Sequence, residues 1–404
     1  MNTLDSADKR WLLPEGIEEV LPEQAAALEI VRRQVLDLYA TWGYQLLITP
    51  MVEFLESLQT GTGKDLDLQT FKLIDSLSGR MMGVRADITP QAARIDARLI
   101  KTKQPVRLCY LGTVLRAYPD IPGGTRAPLQ LGAELYGHAG MESDVEVIEL
   151  MLETMKQLEI ERYILDLGHV GVYRGLAKQA QLDSDQEQAL FEALQRKAVP
   201  DINDLLTEWR VPNNLHTMMS ALANLHGGVE VLAQAQALLA GAHASVKIAL
   251  QELRQIAERL QKNRPELALH FDLSELRGYN YQSGVVFSVY LPGQGQEVAR
   301  GGRYDPIGQG IGRSRPATGF SADLKTLMRS ASRLTPFVAK KPIFAPCAVD
   351  ESLQDLILAL RTMGEIVLCE LPGQEGDALS MGCDRILVQT GGEWELTPIN
   401  AKLN

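Results

Sequence analysis

The stretch covering residues 111–137, LGTVLRAYPDIPGGTRAPLQLGAELYG, constrains this chain more than any other. It reads as two strands joined by a Pro/Gly-rich loop, with Arg116 on the first strand, Arg126 in the loop, and Gln130 and Glu134 on the second. Gln130 and Glu134 are four residues apart, so in a strand of period two they project from one face. A cation, an amide and a carboxylate gathered on one sheet surface suit a small zwitterion better than a hydrophobic core. The bland alternative is a solvated strand face for Gln130 and Glu134, with Arg116 as a sheet-surface ion-pair residue.

The bulk properties set the frame. A chain of 404 residues has room for two or three domains, and 45% hydrophobic with 23% charged residues is an ordinary globular balance. No apolar run approaches the roughly 18–20 residues that cross a bilayer. The opening MNTLDSADKRWLLPEG lacks the basic-then-apolar order of a secretory signal. Cys109, Cys347, Cys369 and Cys383 sit at irregular spacings without a C-x-x-C, which suggests neither a disulfide framework nor a zinc site. A cytoplasmic location without membrane association is the expectation. His138, His169, His216, His226, His243 and His270 share no spacing, so neither a metal nor another cofactor is expected. The net charge of -11 argues mildly against nucleic acid as the main ligand, because phosphate binding needs clustered Lys and Arg.

Periodicity orders the rest of the chain. Leu28, Val31, Val35, Leu38 and Trp42 recur at helical spacing over 22–42, with Pro22 in the first turn and Gly43 at the end. A strand over 44–49, a mobile loop over 61–67, short strands at 71–74 and 80–84, and a helix over 89–101 follow. Ser143 and Glu146 have capping-box spacing, and Val147, Met151, Leu152, Met155 and Leu158 line the buried side of the helix after them. A strand at 163–167 precedes an Ala/Leu/Gln/Glu-rich helical stretch of roughly 171–262, after which strands resume at 267–273 and 285–291. The tail from about residue 336 reads as β-α-β followed by a Gly-Gly hairpin.

Segments that follow one another in that family's order resemble the class II aminoacyl-tRNA synthetases, the histidyl enzyme in particular. WGYQLLITPMVE (42–53) resembles the first class II motif, the dimer-interface element of that family, and 111–137 the second. VRADITPQAAR (84–94) is similar to the loop that holds the α-amino group, with Asp87 where the family carries Glu. LRGYNYQSGVVF (276–287) resembles the histidine-specific segment, with ARGGRYD (299–305) beneath it, and PATGFSADLKTL (316–327) resembles the third motif. The resemblance implies an α+β fold: a synthetase-like core with a mixed, mainly antiparallel sheet flanked by helices, a helical insertion, and a small C-terminal α/β domain. The expected boundaries are 1–170 and 265–332 for the core, 171–264 for the insertion, and 337–404 for a reduced anticodon-binding-like domain. It also implies a histidine pocket. Asp87 and Thr89, helped by Gln130, would take the α-amino group, and Arg277 and Arg116 would face the carboxylate. Glu134 would accept one imidazole N–H, with Tyr281 or Gln282 on the other side; Gln282 stands where the family has a second tyrosine. Outside this resemblance, Asp87 reads as a helix N-cap and Tyr281 as filling for a half-buried strand.

Departures from the family pattern bear on ATP. Arg116 is followed by Ala117 and Tyr118 where the family reads Arg-x-Glu. Thr326 stands at the position of the adenine-stacking arginine, and Asp323 and Lys325 replace a glycine and a glutamate. Adenylation needs positioned cations on the α-phosphate, so this pattern implies that the chain does not activate histidine. The tail carries only Arg361, Arg385 and Lys402 within 351–404, poor equipment for a tRNA arm. A histidine pocket without an ATP grip resembles the family of ATP phosphoribosyltransferase regulatory subunits. That resemblance implies a non-catalytic chain of histidine biosynthesis. It would activate a short catalytic partner, transmit feedback inhibition by histidine, and form dimers within a hetero-octamer. The alternative is a divergent histidyl-tRNA synthetase.

Overall fold

The computed structural model describes residues 11–59, 64–121, 123–276, 278–279, 281–308, 312–331 and 340–399. The chain divides into two compact units, Met1–Leu334 and Thr335–Asn404.

In the first unit, helix α1 (Pro22–Thr41) starts on its proline and buries Val31, Val35 and Tyr39. The strand expected over 44–49 shrinks to β1 (Gln45–Leu46). Arg85 Nη1 takes both the carbonyl (2.8 Å) and the hydroxyl (2.7 Å) of Thr49, which turns the chain out of the ladder. It then enters a small antiparallel sheet with β2 (Val52–Phe54), β3 (Phe71–Ile74) and β4 (Met81–Val84) in the order β2-β4-β3. Between β2 and β3 lie α2 (Leu55–Gln59) and α3 (Lys64–Gln69). The end of the expected 61–67 loop is therefore helical, and residues 61–63 lie outside the described residues. The helix expected over 89–101 is α4 (Thr89–Ile95), which widens into a π turn at Asp96–Ile100 and stops at Lys101, φ +51°.

The two opening strands are β5 (Val106–Thr113) and β6 (Leu129–Tyr136), paired antiparallel. Helix α5 (Met141–Gln157) buries Val147, Met151, Leu152 and Met155, with Leu158 just beyond. Its expected capping box is absent because the helix starts earlier, after Gly140. Ser143 is thus already inside the first turn and donates to the Gly140 carbonyl at 2.7 Å. Glu146 instead receives Arg107 at 2.6 and 2.7 Å.

After β7 (Ile164–His169) come α6 (Val170–Gln179), α7 (Ser184–Gln195), α8 (Val199–Glu208) and α9 (Asn213–Ala221). A two-residue strand missed in the sequence, β8 (His226–Gly227), precedes α10 (Glu230–Leu238) and α11 (Ala244–Asn263). Then follow β9 (Ala268–Asp272), β10 (Val285–Tyr290), β11 (Glu297–Arg303), β12 (Ala317–Asp323) and α12 (Leu324–Ser330). The main sheet runs β1-β5-β6-β12-β11-β10-β7-β9-β8. Only β1/β5 and β7/β9 pair parallel, so the sheet is mixed and mainly antiparallel. One hydrophobic cluster joins α1, α5 and the sheet to α6–α11, reaching from Val31 to Leu327. The helices between β7 and β9 therefore pack as part of the same core.

The second unit is smaller. Strands β13 (Ile343–Ala345) and β14 (Val367–Cys369) flank α13 (Glu351–Thr362), and β15 (Arg385–Thr390) turns through Gly391 and Gly392 into β16 (Glu393–Pro398). The sheet order is β14-β13-β15-β16, and Ile343, Leu353, Ile357 and Leu387 fill its core.

Candidate functional site

Gln130 and Glu134 of β6 are buried, at 3% and 1% exposure, which rules out the solvated strand face. Both are bonded into the region around the start of α4. Gln130 Oε1 accepts the Ile88 N–H at 2.9 Å, and its Nε2 donates to Asp87 Oδ1 at 2.8 Å. Asp87 Oδ1 also accepts the Thr89 N–H at 2.9 Å, so the N-terminal turn of α4 and the site share one carboxylate. Among the described residues the second Asp87 oxygen has no hydrogen bond. The Thr89 hydroxyl meets Tyr110 Oη at 2.8 Å, and Tyr110 donates to Glu134 at 2.9 Å. Tyr304 donates to the other Glu134 oxygen.

Two glycines make room for this network. A Cβ on Gly319, directly opposite Glu134 in the ladder, would fall 1.6 Å from Glu134 Oε2. A Cβ on Gly132 would fall 2.4 Å from the Tyr110 ring. Burial pushes the Glu134 carboxyl up to about 8, against the opposing hydrogen bonds of Tyr304 and Tyr110. The hydroxyls of Tyr110, Tyr281 and Tyr304 are likewise pushed well above the ordinary tyrosine range by burial.

Tyr281 stacks on Tyr304 with ring centroids 5.0 Å apart. Its hydroxyl is buried and, among the described residues, has no hydrogen-bond partner. Gln282 Oε1 is in the same condition. An unpaired buried polar group costs about 1–3 kcal/mol, so each marks a place where a polar ligand group gains more than it would at a satisfied surface.

Thus Asp87, Thr89, Gln130 and Glu134 form one hydrogen-bonded system, and Tyr281 joins it through Tyr304. Arg116 stands apart. It lies past the end of β5, bridged to Thr70 rather than within the strand, and pairs with Asp120. Arg277 lies outside the described residues. Sequence reasoning missed Tyr110 and Tyr304 as members of the site. Tyr304 sits in the quoted GGRYD turn, and Tyr110 one residue before the opening stretch, so both were within reach.

Beside this pocket opens a cleft of about 640 Å³, lined by Gln130, by Arg116, Arg300 and Arg329, and by the carboxylates of Asp120, Glu297 and Asp323. Three cations thus face three anions. Arg300 lies 3.3 Å from Glu297, and Arg329 donates to Thr326 Oγ1 at 2.9 Å. Asp323 caps α12, accepting from the Lys325 and Thr326 N–H groups at 3.3 Å, from the Thr326 hydroxyl at 2.6 Å, and from the Leu129 N–H at 2.9 Å. The helix start that could receive a phosphate already holds the chain's own carboxylate.

A nine-stranded mixed sheet with such a pocket on β5 and β6 defines a class II synthetase-like protein. The model of the histidyl-tRNA synthetase family matches residues 16–327, and that of the ATP phosphoribosyltransferase subunit HisZ C-terminal domain matches 340–397. The ATP phosphoribosyltransferase regulatory subunit of Thioalkalivibrio sulfidiphilus is 55% identical over 391 residues, 96% of this chain and 99% of the relative. That of Alkalilimnicola ehrlichii is 52% identical, covering 98% of each. The chain belongs to the family of ATP phosphoribosyltransferase regulatory subunits. Among solved structures it resembles an ATP phosphoribosyltransferase regulatory subunit/histidyl-tRNA synthetase from Bacillus halodurans. There the TM-score is 0.82 and the identity 26%, over 93% of this chain and 97% of the other. The histidyl-tRNA synthetase of Nostoc sp. PCC 7120 shares the fold, with TM-score 0.73 and 19% identity over 94% and 91% of the two chains.

Proposed function

We propose that this chain binds free histidine in the Asp87–Glu134–Tyr281 pocket and, without catalysis of its own, regulates a short ATP phosphoribosyltransferase catalytic subunit in histidine biosynthesis. The observation that carries the ligand is the unpaired, buried Tyr281 hydroxyl beside the hydrogen-bonded network of Thr89, Tyr110 and Glu134. The α-ammonium would meet the open oxygen of Asp87 with Thr89 and Gln130 beside it. The carboxylate would lie toward Arg116, at the junction with the cleft, and toward Arg277. The imidazole would lie between Glu134 and Tyr281, with Gln282 behind.

The charge pairing of the cleft and the self-capped start of α12 support the non-catalytic part of this reading, since Arg116 and Arg300 are paired with Asp120 and Glu297, and Arg329 is bonded to Thr326 and lies 3.9 Å from Glu18. In the second unit Arg385 pairs with Glu365 at 2.7 Å and Lys340 with the same carboxylate at 2.9 Å, which supports a surface that does not bind nucleic acid. Among the described residues no helix is long and apolar enough to cross a membrane, and a cytoplasmic assembly of regulatory dimers with catalytic dimers in a hetero-octamer is the proposed setting. Regulation is read as linkage: histidine favours one arrangement of the assembly, with a coupling of about 1–3 kcal/mol.

The test is the phosphoribosyl transfer rate of a short catalytic subunit from the same host. Adding this chain should raise the rate, and histidine should lower the raised rate. A rate indifferent to the chain contradicts the regulatory reading, and histidine-dependent ATP–pyrophosphate exchange by the chain alone favours a divergent synthetase.

A further inference from the structure

The backbone that carries Tyr281 and Gln282 is held from outside the pocket by a single guanidinium. Arg174, on α6, directs Nη2 to the carbonyl oxygens of Tyr279 (2.9 Å) and Gln282 (3.2 Å), which bracket Tyr281. The same guanidinium lies 4.8 Å from the centre of the Tyr279 ring. Tyr279 is almost fully buried. It packs edge-on against Tyr173 of α6 at 5.3 Å and tilted against Phe191 of α7 at 5.5 Å. Its hydroxyl donates to Glu187 of α7. The Val170 N–H, at the start of α6, reaches the Gly284 carbonyl at 3.1 Å.

Within the segment, the N–H groups of Tyr281 and Gln282 both converge on the Gly278 carbonyl at 2.7 Å. These two donors are therefore satisfied within the segment, while the Tyr279 and Gln282 carbonyls look outward to α6. One terminal nitrogen makes both bonds, so a lysine ammonium can replace them only in part: it lacks the planar guanidinium that also lies over the Tyr279 ring. None of these α6 and α7 side chains belongs to the hydrogen-bonded pocket network around Glu134. Any ligand that bonds to Tyr281 Oη therefore pulls on a backbone whose outer face is tied to α6 and α7.

Building on the proposed histidine site, we propose that Arg174 is a positioning residue. It sets Tyr281 and Gln282 for the ligand, and with Tyr279 it makes α6 and α7 sense whether the pocket is occupied. The inserted helices thereby become the first element outside the pocket to register the ligand, and a route by which a partner resting on them would respond to it.

The test uses the full chain. Histidine affinity is measured by calorimetry, and amide hydrogen exchange over residues 170–195 is followed with and without saturating histidine. In the wild type, histidine should slow exchange in α6 and α7. Arg174→Gln should bind histidine about tenfold more weakly, the scale of one lost charge-assisted bond, and show no such slowing even at saturation. Arg174→Lys should recover part of the affinity. If Arg174→Gln does not fold, Tyr279→Phe, which removes only the hydroxyl bonded to Glu187, should selectively reduce the slowing in α7. Wild-type chain that binds histidine yet shows unchanged exchange in α6 and α7 overturns the proposal alone. Wild-type affinity and slowing in a folded Arg174→Gln, or unchanged slowing in α7 of Tyr279→Phe, do the same. Wild-type chain that gives no heat with histidine overturns the histidine site, and this proposal with it.

Discussion

The pocket around Glu134 and the cleft beside it are neighbours on one sheet and share Gln130, yet their polar groups are in opposite conditions. In the pocket, hydrogen bonds run from Asp87 through Gln130 and from Thr89 through Tyr110 to Glu134, and they leave Tyr281 Oη unpaired. In the cleft, Arg116 has Asp120, Arg300 has Glu297, and Asp323 has the start of α12. A site that is pre-arranged but unfinished gains from a ligand. A site that has neutralised itself must first break its own pairs, and each such half-exposed pair opposes binding by up to about 1 kcal/mol. Persistence of a fold therefore does not entail persistence of every site on it; the test is which groups still lack a partner.

This contrast can be broken in three places. The largest effect is expected at Glu134, whose carboxyl lies at about 8 instead of 4.5 because of burial. Between those pH values the unfolded chain has released the proton while the folded chain keeps it, so wild-type stability should fall as pH rises and level off above about pH 8. The slope limit is about 1.4 kcal/mol per pH unit for one group. Glu134→Gln keeps the shape without the titration. Urea unfolding should show the variant gaining on the wild type from pH 5 to pH 8, and parallel pH profiles would mean that Glu134 is not held neutral.

A smaller effect is expected at Asp323. Asp323→Ala removes the cap of α12 and should cost about 1 kcal/mol in the same assay while leaving histidine affinity unchanged. A loss of histidine affinity here would show that the cleft and the pocket are one site. The smallest effect carries the sharpest sign. Tyr281→Phe removes the unpaired hydroxyl, so the free chain should become more stable by up to about 1 kcal/mol while histidine binds several-fold more weakly. If both quantities fall together, the hydroxyl has a partner within the free chain.

Much of this was legible in the sequence because strand and helix periodicity bear directly on burial. The helix of α1, the buried side of α5 and the shared face of Gln130 and Glu134 all follow from spacing. Spacing fails where a distant side chain intervenes. Arg85 ends the strand after Leu46, and α5 starts at Met141, which places Ser143 inside its first turn and leaves Glu146 to Arg107, although the S-x-x-E pattern is intact. Arg116 leaves its strand because it bridges to Thr70, a contact no local pattern encodes. Tyr304 and Tyr110 were missed for a related reason. A tyrosine in a strand, as Tyr110, or just past one, as Tyr304, reads as apolar filling, and only the tertiary structure shows that both hydroxyls close on one buried carboxylate.

The contrast between pocket and cleft is tested most directly by titrating the purified full chain with histidine and, separately, with ATP and magnesium in the same calorimeter. The expected result is saturable heat with histidine and none with millimolar ATP, whether or not histidine is present. Saturable ATP binding that strengthens when histidine is added would contradict the account, because the two ligands would then meet in a working adenylation site.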